Sequence, residues 1–413
     1  MRILMVSDVY FPRVNGVSTS IQTFRSDLMA MGHRVVLVAP GYPGAANLDD
    51  GEAVIRIRSR AVPRDPEDRM FSRGRLLALT PELRRERFDL VHVQTPFVAH
   101  YAGVELARRL SLPLVESYHT YFEHYLHHYV PALPARLLQT IARRFTLAQC
   151  RQVDAVISPS RQMAEALRGY GVETPIEVLP TGLPADRFAP GDRDRFRRRR
   201  DIAPDRPVAL FVGRVAHEKN IDFLVRMLVP LRRAVPEVLL VVAGEGPAET
   251  HLRGLVRDAG LQPNVKFIGY LERSTELRDC YAAADVFVFA SRTETQGLVL
   301  LEAMAQGTPV VSTAVMGTVD VLAGAAGAVI VPEDETAFSA AVAALVLDPG
   351  RRAALGSLAR EDAQRWSSRS MAERLVALYL GAIARGRGGL AAGPGGSAAQ
   401  ALEPASPGPR RVA

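Results

Sequence analysis

Short runs of β-branched and aliphatic residues recur along the chain, separated by helical stretches. In the first half the runs are RILMVSD, HRVVLVAP, AVIRIRS, DLVHVQ, LPLVESYH, DAVISPS and IEVLPTG. In the second half they are PVALFVGR, VLLVVAGEG, NVKFIGY, DVFVFAS, TPVVST and AVIVPE. Runs apolar at consecutive positions suit strands buried on both faces, in a parallel sheet with helices on either side. Each series opens with a strand that ends in a turn. The expected fold class is therefore α/β, with two doubly wound Rossmann-like domains. At 413 residues the chain also exceeds what one core usually holds.

The break between the two series is Leu179–Pro207, dense in Pro, Gly and charge. It divides the chain into a first domain over residues 1–185, a linker over 186–206 and a second domain over 207–365. A helix over 366–385 is expected to return to the first domain, and 386–413 is low-complexity sequence expected to be disordered. The run Arg197–Arg200 reads as a solvated helix face rather than a binding patch.

Composition changes this picture only at its edges. The chain is 48% hydrophobic and 23% charged, ordinary for a soluble globular protein. Its net charge is +7, carried almost wholly by arginine, since Lys219 and Lys266 are the only lysines. Codon bias explains such a balance without any function; attraction to phosphate is the functional alternative. Charge alone does not make a nucleic-acid binder here, because the aromatics lie mostly in strands and in one His-rich loop. Cys150 and Cys280 are far apart and lack metal spacing, as in a reducing compartment. No apolar run is long enough to span a bilayer, and the start MRILMVSDVYFP lacks the features of a signal peptide. A cytoplasmic location is expected.

Ligands of open α/β sheets bind beyond the carboxyl ends of the strands. The first strand is followed by Asn15 and Gly16 ahead of an apolar-periodic helix, a turn that lets a ligand approach the backbone. The first strand of the second series ends at Gly213, with Arg214 and Lys219 before the next helix. Two cations there suit a pyrophosphate, and Lys219 reads as an exposed cleft cation. The stretch SRTETQGLVLLEAMAQGTPVV raises a sharper question, because Glu302 interrupts the apolar helix LVLLEAMA, eight residues after Glu294. A buried carboxylate needs partners. A ribose diol would supply them; a salt bridge to an arginine is the alternative. Two carboxylates also suggest a retaining glycosidase, but a hydrolase has no use for a diphosphate clamp.

Taken together, NGVSTSI, SYHTYFEHY, VISPS, LPTGLPADRFAP, GRVAHEKN, VVAGEGP, FIGYL and ETQGLVLLEAMAQGTPVV resemble the family 4 retaining glycosyltransferases of the GT-B fold, along nearly the whole length up to the tail. The NGV turn, the YHTY segment and TETQG resemble most the bacterial enzymes that add glucose to diacylglycerol, and more distantly the mannosyltransferases of the same family. The resemblance implies two domains facing an inter-domain cleft. Arg214 and Lys219 would hold the donor diphosphate, Glu302 the ribose and Glu294 the transferred sugar. Amides at Gln296, Gly297 and Leu298 would support sugar and phosphate, and Gly16 would approach the diphosphate. His119 would lie beside the anomeric centre. Gly213 would form the turn, and Gly244, Glu245, Gly269, Tyr270 and Leu271 would line the base pocket. No metal or other cofactor is implied. PTGLPADRF departs from the more common Asn-Gly-Val-Asp form of the family.

The implied activity moves a hexose, glucose from UDP-glucose, to a lipid acceptor such as diacylglycerol. A GDP-mannose-dependent enzyme acting on a lipid or glycan is the same-family alternative. A nucleotide-sugar-binding protein without catalysis is the alternative of another class, and the intact Arg214, Lys219, Glu294, Glu302 and His119 speak against it. His124 and His128 have the spacing of metal ligands without an evident third, so Tyr118–Tyr129 reads better as an aromatic wall for the acceptor. An anionic membrane surface is an expected partner, on the inner face of the cytoplasmic membrane. The segment Arg69–Phe88 carries six arginines among Met70, Phe71, Leu76, Leu77 and Leu79. Leu138, Ile141 and Phe145 form a helical stripe beside Arg143 and Arg144.

Overall fold

The computed structural model describes residues 1–43, 53–62, 65–119, 135–272 and 275–391. The strands of the first half are β1 (Arg2–Val6), β2 (Arg34–Pro40), β3 (Val54–Ile57), β4 (Ser59–Val62), β5 (Asp65–Phe71), β6 (Leu90–Val93), β7 (Leu114–Ser117), β8 (Ala155–Ser158) and β9 (Ile176–Val178). The second half holds β10 (Val208–Val212), β11 (Leu239–Ala243), β12 (Val265–Gly269), β13 (Val286–Phe289), β14 (Val310–Ser312) and β15 (Ala328–Ile330). All thirteen apolar runs are strands. They form two parallel sheets, ordered β3-β2-β1-β6-β7-β8-β9 and β12-β11-β10-β13-β14-β15. The antiparallel pair β4–β5 escapes the apolar pattern because SRAV and DPEDRMF are largely polar.

Strands β1, β6, β7 and β8, and likewise β10, β11, β13 and β14, are buried along their length, as parallel strands covered on both faces must be. In the first sheet the chain runs outward from β1 on one side and from β6 on the other; in the second it does so from β10 and β13. Each such point opens a crevice beyond the carboxyl ends of the strands.

Residues 186–206 carry more structure than a linker. The helix Arg193–Arg199 packs on the second half, drawn there by buried carboxylates. Arg195 meets Asp279 at 2.6 Å, and Arg197 meets Asp285 at 3.1 Å. Arg197 is thus no solvated residue: it is 1% exposed, and its guanidinium also donates to the carbonyls of Ala203, Pro204, Arg206 and Ala283. Only a carbonyl cage of this kind lets a guanidinium leave water.

The last helix, Ser368–Ala391, runs further than the sequence suggests, through six residues assigned to the tail. Its Met371, Ala372, Leu375, Tyr379 and Ala382 are buried in one cluster with Ile3, Met5, Ile21 and Val115 of the first half. The chain therefore returns to the sheet on which it began. Residues 392–413 lie outside the described residues.

The two basic stretches fold differently from their amphipathic reading. Arg69–Phe88 spans the end of β5 and two short helices, Arg73–Ala78 and Thr80–Arg85. Phe71, Leu76 and Leu83 point into the core, and Leu77 and Leu79 pack against it, which leaves Arg73, Arg75, Arg84 and Arg85 as a polar exterior. In the helix Ala135–Cys150, Leu138 is buried and Phe145 half-buried, so the predicted stripe faces inward apart from Ile141. Ile141 and Leu137 are 46% and 47% exposed, with Arg143 and Arg144 also on the surface. No helix among the described residues is long and apolar enough to cross a membrane.

Candidate active site

Glycines stand at the ends of three adjacent strands of the second sheet, and at Gly244 the backbones approach more closely than a side chain would permit. Gly213 donates its N–H to Ala243 O at 3.0 Å, and Gly244 donates to Gly269 O at 2.8 Å. Gly244 has φ of 134°, and a Cβ there would sit 2.0 Å from Gly213 O. Beyond them, Val215 N–H donates to Glu245 O at 2.9 Å, and Tyr270 N–H reaches Glu245 Oε1 at 3.3 Å. Tyr270 is 54% exposed, the open edge of this platform. Leu271, expected to line a base pocket, turns its side chain into the second core instead and is 4% exposed.

Arg214 is exposed at the β10 end, whereas Lys219 is not the exposed cation its sequence suggests. Its Nζ lies 2.6 Å from Glu294 Oε2, with side-chain exposures of 16% and 22%. The left-handed Asn220, φ 54°, turns the chain from Lys219 into the helix Ile221–Ala234, and its Nδ2 donates to Ala290 O at 3.2 Å. The two residues predicted to touch diphosphate and sugar thus form one ion pair.

Gly297, at φ 91°, caps the helix Leu298–Ala305, whose N-terminus is the positive end of the helix dipole. The loop before it is held from a side the sequence did not indicate. Gly317 N–H donates to Glu294 O at 2.9 Å, and a Cβ at Gly317 would lie 1.9 Å from Thr295 O. Only the glycine in VMGTVD hinted at this. Glu302, one helical turn on, is 6% exposed. Tyr281 Oη donates to Glu302 Oε2 at 2.8 Å, a phenol where a ribose or an arginine was expected.

Gln296 is also placed differently. Its side chain makes two bonds to the main chain of one residue: Oε1 accepts from Thr181 N–H at 2.8 Å, and Nε2 donates to Thr181 O at 2.6 Å. Thr181 Oγ1 in turn donates to Ser20 Oγ at 2.7 Å, on the helix that begins at Gly16. The loop carrying Glu294 and the first-domain turn carrying Gly16 are therefore joined through a single residue. No protein atom lies within 4 Å of where a Gly16 Cβ would project, so packing places no demand for glycine there. Asn15 caps that helix, its side chain accepting from Ser18 N–H at 2.8 Å.

His119 follows β7, and its Nε2 lies 3.3 Å from Gln94 Oε1, beyond the end of β6. The ring keeps some surface in solvent, yet the atoms packed around it pull its pKa down to about 4 by desolvation. Asp8, at the end of β1, is pushed up to about 6 by burial, against hydrogen bonds from Ala99 N–H and Thr95 Oγ1. His124, His128 and the expected aromatic wall from residue 120 to Tyr129 lie outside the described residues.

Comparison with known proteins fits this geometry. Residues 14–187 match Glycosyltransferase Family 4, and residues 192–362 match Glycosyl transferases group 1. An alpha-monoglucosyldiacylglycerol synthase of Streptococcus pneumoniae is 32% identical over 320 residues, 76% of this chain and 71% of that one. A GDP-mannose-dependent alpha-(1-6)-phosphatidylinositol monomannoside mannosyltransferase of Mycolicibacterium smegmatis is 32% identical over 392 residues, 92% of this chain and 98% of that one. The solved sucrose-phosphate synthase of Thermosynechococcus elongatus superposes with TM-score 0.74 at 23% identity, over 93% of this chain and 99% of that one. The protein is a two-domain glycosyltransferase of the GT-B fold. It belongs to glycosyltransferase family 4.

Proposed function

We propose that the protein transfers glucose from UDP-glucose to a lipid hydroxyl, that of diacylglycerol or a glycosylated derivative, with retention at the anomeric carbon. The observation that carries this reading is the grouping of Arg214, the Lys219–Glu294 pair and the N-terminus of the helix Leu298–Ala305 around the ends of β10 and β13. Two cations and a helix dipole match a diphosphate leaving group. The lipid acceptor is supported by the two relatives above, one named for a glycolipid product and the other for a glycolipid that it mannosylates.

In this reading Arg214 and Lys219 stabilise the negative charge that grows on the diphosphate as its bond to C1 lengthens. Glu294 orients Lys219 and accepts from sugar hydroxyls. Glu302, its carboxylate oriented by Tyr281, accepts from the ribose. The acceptor hydroxyl attacks C1 on the face the diphosphate leaves, and its proton passes to the departing phosphate oxygen. His119, kept neutral by burial, contacts the sugar without adding charge to an oxocarbenium-like transition state. Catalysis is then chiefly positioning and electrostatics.

The mycobacterial relative favours one second reading, GDP-mannose as donor, because it aligns over nearly its full length. Thermal stabilisation by UDP, GDP and ADP without added metal separates the two. Transfer from UDP-[14C]glucose or GDP-[14C]mannose into a diacylglycerol extract follows. Stabilisation and transfer with the uridine pair supports glucose, the guanosine pair supports mannose, and no transfer with either rejects the enzyme reading.

The membrane surface belongs to the same proposal. Leu137 and Ile141 beside Arg143 and Arg144 give apolar anchors and cations on one helix, the composition that binds anionic headgroups from the cytoplasmic side.

A further inference from the structure

The proposed reaction leaves three buried polar residues unused, and they converge on His119. His92, 1% exposed in β6, has Tyr379 Oη 2.6 Å and Gln94 Nε2 3.0 Å from its Nδ1, with Ser117 Oγ 2.9 Å from its Nε2. Tyr379 comes from the C-terminal helix, 287 residues further along the chain. Gln94, 3% exposed, spans the gap to His119 with its other amide atom.

These contacts have a fixed polarity. A buried phenol proton must be donated, and the acceptor beside Tyr379 Oη is His92 Nδ1. Nδ1 is therefore the unprotonated nitrogen, and Nε2–H donates to Ser117 Oγ. An unprotonated Nδ1 calls for the NH2 of Gln94, which turns Oε1 toward His119. An oxygen there calls for a proton on His119 Nε2, leaving His119 Nδ1 unprotonated. Burial keeps both ends in the required state: His92 is held neutral, its pKa near 3 through desolvation and the nearby His119, and the Tyr379 phenol is raised well above its usual value.

We infer that Tyr379, His92 and Gln94 are positioning residues that hold His119 as its Nε2–H tautomer, so that the C-terminal helix sets the hydrogen-bonding state of the reaction centre. The inference rests on the proposed place of His119 beside the anomeric carbon. Without the phenol, the Ser117 hydroxyl accommodates either tautomer of His92, the Gln94 amide is free to turn over, and His119 loses its preference.

The test uses the full-length protein with 15N-labelled histidine, read by long-range proton–nitrogen correlation. The His119 and His92 signals are identified by their loss in His119→Asn and His92→Asn. The wild type should show both rings as single Nε2–H tautomers. In Tyr379→Phe, and independently in Gln94→Leu, the His119 nitrogens should move toward averaged positions, with kcat lowered about tenfold and KM for the sugar nucleotide within about twofold. Gln94→Glu, which still accepts from Nε2–H, should restore the His119 signature. Leu375→Ala loosens the same helix with the relay atoms intact and should leave the tautomer unchanged. Persistence of the Nε2–H form in both Tyr379→Phe and Gln94→Leu overturns the relay, as does an equal response in Leu375→Ala. A tautomer that responds as expected in a protein that transfers no sugar leaves the relay standing and rejects the glycosyl-transfer reading instead.

Discussion

Lys219 and Glu294 illustrate how a residue's partner changes its meaning. An exposed lysine could be removed at little cost, but this one shares a 2.6 Å pair with a carboxylate that is 22% exposed. Lys219→Ala should lower kcat/KM by about two to three orders of magnitude, as removal of a transition-state charge partner does. It should also lower unfolding free energy by about 1–3 kcal/mol, because Glu294 is left partly buried with its charge uncompensated. Steady-state kinetics and urea unfolding measure the two effects separately. An unchanged urea midpoint would show that the pair is structurally idle. Tyr281 makes the complementary case. Tyr281→Phe removes the donor to Glu302 and should weaken UDP binding about tenfold by calorimetry while leaving the packing against Phe287 in place. Undiminished affinity would detach Glu302 from the nucleotide.

Among the elements, strand termini carry the specificity of this fold. Gly244→Ala places a methyl 2.0 Å from Gly213 O at a φ that L residues rarely adopt. It should cost about 1–3 kcal/mol and disturb the β10 and β11 ends together. Gly16→Ala meets no protein atom within 4 Å, so stability should hold while KM for the sugar nucleotide rises. Equal stability losses in the two variants would contradict the assignment of Gly16 to ligand approach. The helix Ala135–Cys150 is tested by Leu137→Ser with Ile141→Ser. This pair should reduce co-sedimentation with phosphatidylglycerol vesicles severalfold and leave UDP affinity unaffected. Retained vesicle binding would place the membrane contact elsewhere. These elements also show what a sequence can and cannot reveal. Doubly wound strands were legible because burial on both faces makes them continuously apolar, and GRVAHEKN and ETQG were legible because their glycines and charges sit at strand ends. The hairpin β4–β5 was not, since polar strands carry no period of apolar residues. Nor was the inward turn of Phe71, Leu76 and Leu138, because a stripe on a helix has the same spacing whether it meets a core or a lipid. Tyr281, Gly317 and Tyr379 reach their partners across long separations in the chain, and no local pattern announces such contacts.

For the molecule as a whole, the two halves are joined by directional contacts among the described residues. Gln296 grips the Thr181 peptide, Thr181 holds Ser20, Arg161 N–H and Gln162 donate to Asp320, and the last helix crosses back to the first sheet. The side-chain hydrogen bonds fix direction, while the last helix adds apolar burial through Met371, Ala372, Leu375, Tyr379 and Ala382 against the first sheet. The response of the fold to acid follows from the buried groups at the strand ends of the first sheet. His92 and His119 have folded pKa values near 3 and 4, below the ordinary 6.5, so the unfolded chain binds more protons than the native one from pH 6.5 downward. Their contribution is fully present above pH 6.5 and is lost as pH falls toward 4 for His119 and toward 3 for His92. Asp8 acts in the opposite sense: raised from 3.8 to about 6, it binds its proton in the native state first and gains stability over that interval. His92 and His119, together with His33, whose pKa burial also lowers, outnumber Asp8, so unfolding takes up protons and stability falls between pH 6 and 4.5. Urea unfolding at pH 7, 6, 5 and 4.5 should show this slope, and His92→Asn should remove most of it. A flat profile would mean that His92 exchanges protons with solvent in the native state, which is incompatible with the buried contact between β6 and the C-terminal helix.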